Sequence, residues 1–418
     1  MRRAFRTKRR ALVTGAAVAA AAALALAGCS SGSSGNKASG SQKSSGNQSQ
    51  NKPADHKASA SPTPSPKPAA DVSISPQNAP MNPTDPIVVK VDKGTLKSVV
   101  VTSPQGKQVS GAYGADKTTW STNEPLGYAK AYAVSADAVA KTGGAVHRTG
   151  TVHTLSPQAQ AYPSFIPPPS ETDVGVGQPI VVRFDHPIAD KAATQKRLQV
   201  TSTPAQAGAW YWISNTEVHY RPEKYWQPGT TIKMHAAIYG VDLGDGVYGQ
   251  TDRDLTLRVH DSWVAKANGA TKRMWVFHNG KLVRNMAISL GTTHTPTHTG
   301  IHVISEKSQK VIMDSATYGV KKGQPGYYRE SVFWDERISN DGEFVHAAPW
   351  STGQQGASNV SHGCVNLSVP NAQWFYAHFG PGDVVEVSNS GGPQLPVYDT
   401  YGDWSVPWST WSAGNTNS

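Results

Sequence analysis

The chain has 418 residues, a formal net charge of +10 and only two cysteines. Six of the positive charges lie in the first ten residues and four more in residues 29–70, so residues 71–418 carry no net charge. A folded part without a basic excess gives poor support for binding to a polyanion. We therefore expect no nucleic-acid partner.

The N-terminal segment is a basic stretch, MRRAFRTKRR, followed by an apolar run that ends in small residues. This pattern predicts a secretory signal peptide over residues 1–28 rather than a membrane-spanning helix. The run closes on Leu26-Ala27-Gly28-Cys29, which resembles a bacterial lipobox. The resemblance implies that Cys29 is diacylated, anchors the protein to the membrane and places it at the extracytoplasmic face, reaching into the cell wall. The alternative is a plain signal peptide with an incidental Cys29.

Residues 29–70 consist mostly of Ser, Gly, Pro, Asn, Gln and Lys, with almost no apolar side chains. Such a segment cannot bury enough surface to offset the entropy lost on ordering. We predict a disordered linker here.

The next two regions, residues 71–158 and 159–260, contain short apolar runs separated by Pro, Gly and Asn. Examples are IVVKV and LKSVVV in the first region, and PIVVRF, EVHYRP and LTLRVH in the second. Evenly spaced short strands without a helical period are typical of β-sandwiches. We predict two immunoglobulin-like β-sandwich domains in tandem, without an inter-sheet disulfide.

The third region, residues 261–388, is predicted to be mainly β with little helix. Its first two strands flank Asn279-Gly280, the strongest short hairpin signal. One helix is predicted from an N-cap at Ser368 to a stop at Gly380. The extension over residues 389–418 is rich in Gly, Pro and Trp, and its three tryptophans indicate that it packs onto another part of the molecule.

The second cysteine, Cys364, lies in the segment NVSHGCVNL of this third region. A secreted chain normally pairs its cysteines, but the other cysteine here is the predicted lipid anchor. Cys364 is thus expected to be a free thiol, which is a liability unless it is buried or has a function. A buried structural thiol, a metal ligand and a nucleophile remain open from composition alone.

The segment SHGC has the features of an activated thiol. Gly363 allows a sharp turn, in which the backbone N–H groups of His362, Gly363 and Cys364 could converge on the oxygen of a substrate carbonyl. A base must come from elsewhere, because a histidine two residues away in a tight turn points away. His346 is the best candidate, since it ends the predicted strand EFVH next to a loop, where scaffolds present reactive groups.

The arrangement of His346, fourteen residues, and then SHGCVN resembles the signature of L,D-transpeptidases. The upstream segment TPTHTGIHVI, residues 295–304, is similar to another strand of that family. The resemblance implies that Cys364 attacks the carbonyl between a diamino acid and the terminal D-Ala of a peptidoglycan tetrapeptide stem. It also implies that His346 is the general base, oriented by the backbone carbonyl of Ala347.

The same resemblance implies further site residues that line the oxyanion hole or the substrate groove. Those closest to the nucleophile are Ser361, His362, Gly363, Asn366 and Tyr328, with the adjacent Tyr327 as the alternative tyrosine. The lid and groove positions are Met313, Tyr318 and Trp350.

Three functions are compatible with these residues: formation of 3→3 cross-links by a cysteine acyltransferase, an L,D-carboxypeptidase that uses water, and a non-catalytic wall-binding lipoprotein. The filled family positions favour an enzyme over the third. Carbapenem β-lactams are expected to acylate Cys364. No cofactor is expected.

A metal site is not expected either, although His294, His298 and His302 recur every four residues. The intervening Thr, Pro and Gly indicate a loop leading into a strand, and this does not gather the three rings as a helix would.

Overall fold

The computed structural model describes residues 69–325 and 327–417. The described part is mainly β, as predicted, with three short α-helices among its strands. The predicted signal peptide, Cys29 and all but the last two residues of the predicted linker lie outside the described residues. Within the described ranges, no helix has the length and apolar character needed to span a membrane.

The first sandwich occupies residues 71–153. Its two sheets have the strand orders β1-β2-β5-β4 and β3-β6-β7. Alternate residues of the strands are buried, as the period-2 sequence pattern requires. The strands are β1 (Asp71–Ser75), β2 (Val88–Asp92), β3 (Gly94–Thr102), β4 (Gly111–Tyr113), β5 (Thr119–Thr122), β6 (Ala131–Ala140) and β7 (Ala145–His153).

The second sandwich follows over residues 159–259, with sheets β10-β17-β15-β12 and β13-β14-β11-β9 and a small parallel pair, β16-β8. Its core extends into the third region through Val264 and Val384. The elements are β8 (Ala159–Ala161), β9 (Pro163–Ile166), β10 (Asp173–Val174), β11 (Ile180–Phe184), α1 (Lys191–Gln195), β12 (Leu198–Thr203), β13 (Gly208–Trp212), β14 (Glu217–Pro222), β15 (Thr231–Ala236), β16 (Val247–Gly249) and β17 (Arg253–Val259).

The third region has two sheets, β20-β19-β18-β26-β21 and β22-β23-β24-β25, around a separate core. Its strands are β18 (Trp263–Asn268), β19 (Arg273–His278), β20 (Lys281–Ala287), β21 (Gly300–Val303), β22 (Glu306–Asp314), β23 (Arg329–Arg337), β24 (Phe344–Ala347), β25 (Val365–Leu367) and β26 (Val384–Ser388). Helix α2 (Val369–His378) packs against β23 and β24.

Two local predictions for this region are confirmed. Asn279 and Gly280 have φ values of 48° and 77°, so they form the left-handed turn that joins β19 to β20. Helix α2 begins after Ser368 and ends before Gly380, although the Ser368 side chain makes no capping hydrogen bond.

The second sandwich and the third region meet through closely packed backbone. The N–H of Gly175 donates to Pro381 O at 2.9 Å, and that of Gly177 to Gly382 O at 2.8 Å. A Cβ at Gly175 would lie only 2.2 Å from the backbone of Gly382 and Asp383, so this approach requires glycine. The groove of the third region is therefore held in a fixed orientation to the sandwich.

The C-terminal extension folds back onto the second sandwich, as its tryptophans indicated. It contains a 3-10 turn, Gly402–Ser405, and helix α3 (Trp408–Ala413). Trp411 is fully buried, stacks on Tyr211 and donates from its indole to Ala209 O at 2.8 Å. The extension thus forms a strap from the third region to the second sandwich.

A buried charged cluster fastens this strap. His219 of β14 lies between Asp403, at 2.7 Å, and Glu217, at 2.8 Å. Burial alone would lower the pKa of His219, but the charge of Asp403 and the hydrogen bonds to both carboxylates raise it to about 9. The Arg221 guanidinium lies over the Trp404 and Trp411 rings, at 4.7 and 4.5 Å from their centroids.

Candidate active site

Cys364 lies at the end of a tight turn, residues 361–364, which we call the SHGC turn. Gly363 has φ +125°, a left-handed conformation that only glycine adopts easily. The Ser361 hydroxyl donates to Cys364 O at 2.6 Å and accepts from the Gly363 N–H at 3.2 Å. The serine therefore closes the turn and presents the thiol just before β25.

The thiol is almost completely buried. Cys364 is 8% exposed, and its Sγ–H donates to Gly342 O at 3.6 Å. Burial, together with the charges of Glu343 and Asp335 and against the lowering effect of the Phe344 N–H, raises the pKa of the thiol to about 12. Before substrate binds, the sulfur is thus a neutral thiol at neutral pH.

His346 is positioned by parallel pairing of β24 with β25, where it lies opposite Asn366. Its Nδ1–H donates to Ala347 O at 3.0 Å, the contact implied by the family resemblance. This hydrogen bond fixes the tautomer in which Nε2 is the proton acceptor. Burial lowers the pKa of His346 to about 4, against a raising effect of the Ala347 hydrogen bond, so the ring is neutral at neutral pH.

Cys364 and His346 line one cavity of about 290 Å³. Most other site residues inferred from the sequence line it too: Met313, Tyr328, Trp350, Ser361, His362 and Asn366. The Tyr328 ring lies 5.1 Å from that of His362, whereas Tyr327 does not line the cavity. Asn366 donates from Nδ2 to the Ser351 hydroxyl at 3.1 Å, which ties its side chain to the 3-10 turn Pro349–Ser351 that follows β24.

The structure does not confirm a place in the cavity for two of the predicted residues, Gly363 and Tyr318. Gly363 does not line the cavity, and its N–H is directed to the Ser361 hydroxyl at 3.2 Å. The expected convergence of three N–H groups on one oxyanion therefore does not hold for Gly363. Tyr318 ends the 3-10 turn Ser315–Tyr318, and its side chain is outside the described part of the structure.

Sequence reasoning missed three residues that line the cavity: Glu330, Val332 and Val360. The first two lie on β23 at two-residue steps from the preceding Tyr328, and alternate residues of an extended segment share a face. This two-residue period could have predicted Glu330 and Val332 from the sequence, once Tyr328 was placed in the site.

Of the three regularly spaced histidines, only His298 joins a group of potential metal ligands in the described residues. One ligand atom each from His298, Asp341 and Asp399 lie within 4.8 Å of one another. Each of these side chains already has a partner within the protein: Glu343 for His298, Ser339 for Asp341 and the Asn340 N–H for Asp399. The group therefore gives no positive sign of a bound ion.

Comparison with known proteins gives two family matches. Residues 262–387 match the L,D-transpeptidase catalytic domain and residues 78–242 the bacterial Ig domain. L,D-transpeptidase 2 of Mycobacterium tuberculosis is 43% identical over 330 residues, 79% of this chain and 80% of that protein.

L,D-transpeptidase 5 of the same species is 38% identical over 337 residues, 79% of this chain and 73% of that protein. A solved LD transpeptidase, LdtMt1 in complex with imipenem, aligns with 55% of this chain and 100% of its own, at 29% identity and a TM-score of 0.48. The Cys364 thiol and the His346 imidazole line one cavity, and the two relatives at 43% and 38% identity share most of the chain's length. The chain therefore belongs to the L,D-transpeptidase family.

Proposed function

We propose that the protein forms 3→3 cross-links in peptidoglycan by acyl transfer through a thioester on Cys364. The observation that carries this proposal is that Cys364 and His346 line one cavity, with Nδ1–H of His346 held by Ala347 O at 3.0 Å. This geometry supports Nε2 as the base for the thiol.

The first half-reaction releases D-Ala. The proton of the Cys364 thiol passes to Nε2 of His346 while Sγ bonds to the carbonyl carbon between the diamino acid and the terminal D-Ala. The C–N bond then breaks, and the leaving amine of D-Ala takes the proton from His346. The product is a thioester between Cys364 and the remaining tripeptide stem.

The second half-reaction transfers the stem. A side-chain amine of an acceptor stem attacks the thioester carbonyl, His346 accepts its proton, and Sγ departs and recovers a proton from His346. The enzyme returns to its starting state, and the new amide is the cross-link. In an L,D-carboxypeptidase, the alternative function, water would replace the acceptor amine.

The resting protonation states support a mechanism in which charge develops only during attack. The pKa of Cys364 is raised to about 12 and that of His346 lowered to about 4, so the pair is neutral before substrate arrives. The developing oxyanion needs donors, for which we propose the Cys364 N–H and the Tyr328 hydroxyl. The Gly363 N–H serves Ser361 instead.

The donor stem is proposed to lie in the groove between β23 and the SHGC turn. Met313 and Trp350 border it, and Trp350 is 55% exposed although it is a large apolar side chain. An exposed tryptophan beside a cavity lined by both apolar and polar side chains suits a substrate with both apolar and amide surfaces. Tyr318 is proposed to belong to the lid on this groove.

Intact mass after incubation with a carbapenem tests the nucleophile. We expect one covalent adduct on the wild-type protein and none on Cys364→Ala. An adduct that survives in Cys364→Ala would contradict the assignment.

The acceptor is tested separately with a disaccharide tetrapeptide. Cross-linked dimers with release of D-Ala are expected from a transpeptidase. Tripeptide without any dimer would make the protein a carboxypeptidase.

We also propose that Cys29 is the lipid anchor at the extracytoplasmic face of the membrane. The resemblance of Leu26-Ala27-Gly28-Cys29 to a lipobox supports this. Cells fed labelled palmitate should label the wild-type protein, whereas Cys29→Ala should be unlabelled. Equal labelling of the two would refute lipidation at this residue.

A further inference from the structure

Glu343, to which the reaction above assigns no role, lies directly against the SHGC turn. A Cβ built on Gly363 would be 3.5 Å from both Cγ and Oε1 of Glu343, which is ordinary van der Waals contact. Glu343 is only 5% exposed. A carboxylate is buried at such a place only when partners compensate for its lost hydration.

The first partner of this carboxylate is His298. Oε1 of Glu343 accepts from the backbone N–H of His298 at 2.8 Å and lies 3.1 Å from its Nδ1. The hydrogen bond to Glu343 raises the pKa of His298, against the effect of burial, and the charge of Asp341 adds to this. One oxygen of Glu343 is therefore held by two donors of the same residue.

The second partner is His302, which is fully buried. Its Nδ1 lies 3.0 Å from Ile338 O and its Nε2 3.1 Å from His298 O. Both ring nitrogens of His302 thus face carbonyl oxygens, which only accept hydrogen bonds. Oε2 of Glu343 lies 3.9 Å from Nδ1 and has no hydrogen-bond partner among the described residues.

The chain neighbours of Glu343 contact the thiol itself. Gly342 O accepts from Sγ at 3.6 Å, and the Phe344 N–H also acts on the thiol. The side chain of Glu343 meanwhile lies beside Gly363, the residue before Cys364, so close that a Cβ there would touch it. A displacement of Glu343 would thus move the turn that carries the thiol and the strand start that surrounds it.

We propose that Glu343, held between His298 and His302, is a positioning residue for acyl transfer at Cys364. The spacing of His298 and His302, from which no metal site was predicted, serves to bind a carboxylate. This inference rests on the proposed function of Cys364.

The test is the rate of carbapenem acylation of Cys364, together with kcat and KM for the tetrapeptide. For Glu343→Ala we expect the limiting acylation rate and kcat to fall by about 10-fold or more, with KM changed by less than about 2-fold, because misplaced reacting groups slow the chemical step. A loss of stability alone would lower the folded fraction and with it the apparent kcat at unchanged KM, but it would change only the amplitude of acylation. The limiting acylation rate constant therefore separates misplaced groups from lost stability.

Glu343→Gln is the conservative variant. Its amide oxygen still accepts from the His298 N–H and its side chain still contacts Gly363, so we expect a limiting rate within about 3-fold of wild type. The pH profile should move to lower pH, because the lost charge no longer raises the pKa of Cys364. Asp335, Asp341 and His346 also face this thiol and remain in both variants.

Asp254→Asn is the matched control, because Asp254 pairs with His235 at 2.8 Å on the exposed face of the second sandwich. Its acylation rate should equal that of wild type. A wild-type limiting rate in Glu343→Ala, or a Glu343→Gln variant as slow as Glu343→Ala, would overturn the proposal.

Should Glu343→Ala fail to fold, Glu343→Asp replaces it, since the shorter side chain cannot contact Gly363 and His298 together. A wild-type limiting rate in that variant overturns the proposal equally. Failure of the nucleophile assignment is distinguishable, because it appears as an adduct on Cys364→Ala whatever the result at Glu343.

Discussion

Two buried histidines of this molecule differ in charge at neutral pH: His346 is neutral and His219 is positively charged. His346, 3% exposed in the groove, has one carbonyl partner, and burial lowers its pKa to about 4. His219, 1% exposed under the C-terminal strap, has two carboxylate partners that overcome burial and raise its pKa to about 9. Burial is common to both, so the chemistry of the partners decides the charge.

The difference in charge corresponds to the different roles of the two histidines. A base must accept a proton during the reaction and give it up again, which requires a ring that starts neutral. A charged residue that fastens a strap must keep its proton, because its loss would remove the counter-charge hydrogen-bonded to the buried carboxylate of Asp403. Variants at each histidine test this division of roles.

The largest effect is expected from His346→Gln. Glutamine keeps much of the volume but is not a base, so acylation of Cys364 by a carbapenem should slow by about 10²–10⁴-fold. The measurement is a time course of intact mass at pH 7. His219→Gln, measured per folded molecule, should acylate at the wild-type rate, and an equal loss in both variants would contradict the division of roles.

Asp403→Asn should act in the opposite way, on stability and not on rate. Breaking one side of a buried ion pair costs about 3–5 kcal/mol in the free energy of unfolding. Urea unfolding followed by the fluorescence of the strap's tryptophans measures it. Asp137→Asn, which breaks the exposed pair with His147, should leave stability nearly unchanged. A similar small change in Asp403→Asn would show that His219 is not held by charge.

The pH dependence of stability should have opposite signs at the two histidines. At His346 the folded pKa is below the unfolded value of 6.5, so stability is full above pH 6.5 and is lost as pH falls toward 4, on the order of 3 kcal/mol in total. At His219 the folded pKa is raised, so its contribution is full below pH 6.5 and is lost as pH rises through 9.

The difference in urea midpoint between wild type and His346→Gln, followed from pH 7 to pH 4, isolates the acid-side effect. We expect wild type to lose stability relative to the variant as pH falls. A constant difference would mean that His346 is not kept neutral by the fold.

The smallest effect is expected from Arg221→Lys in the strap cluster. Arg221 donates to Asp403 O at 3.2 Å and Val406 O at 2.6 Å while it stacks on Trp404 and Trp411. Lysine keeps the charge but lacks the planar fork, so we expect a loss of about 1–2 kcal/mol. Thermal unfolding measures it, and an unchanged midpoint would show that charge alone is sufficient.

Local sequence patterns were enough to predict much of the fold. The Asn279-Gly280 turn, helix α2 and the alternating strands depend on neighbours in the chain, which periodicity and turn chemistry report. The SHGC segment and the end of strand EFVH likewise identified Cys364 and His346 as candidates, and the fold brings them to one cavity.

Contacts between distant residues were not predictable in this way. His219 and Asp403 are 184 residues apart, and Glu343 meets His298 across 45 residues. Nothing in the local pattern of either pair reports its partner, and the charge of a buried group depends on that partner. The direction of the Gly363 N–H was missed for a different reason, since it depends on the backbone dihedral angles of the SHGC turn, which the local sequence pattern does not report.

The strap has a mechanical consequence for the third region. A domain joined to its neighbour by one linker can swivel about it, whereas this region is fastened at its start, through β17 and β18, and again beyond its end, through α3. Rotation about the first attachment would require Trp411 of α3 to lose its contacts with Tyr211 and Arg221. These two attachments to the second sandwich therefore fix the direction in which the groove faces.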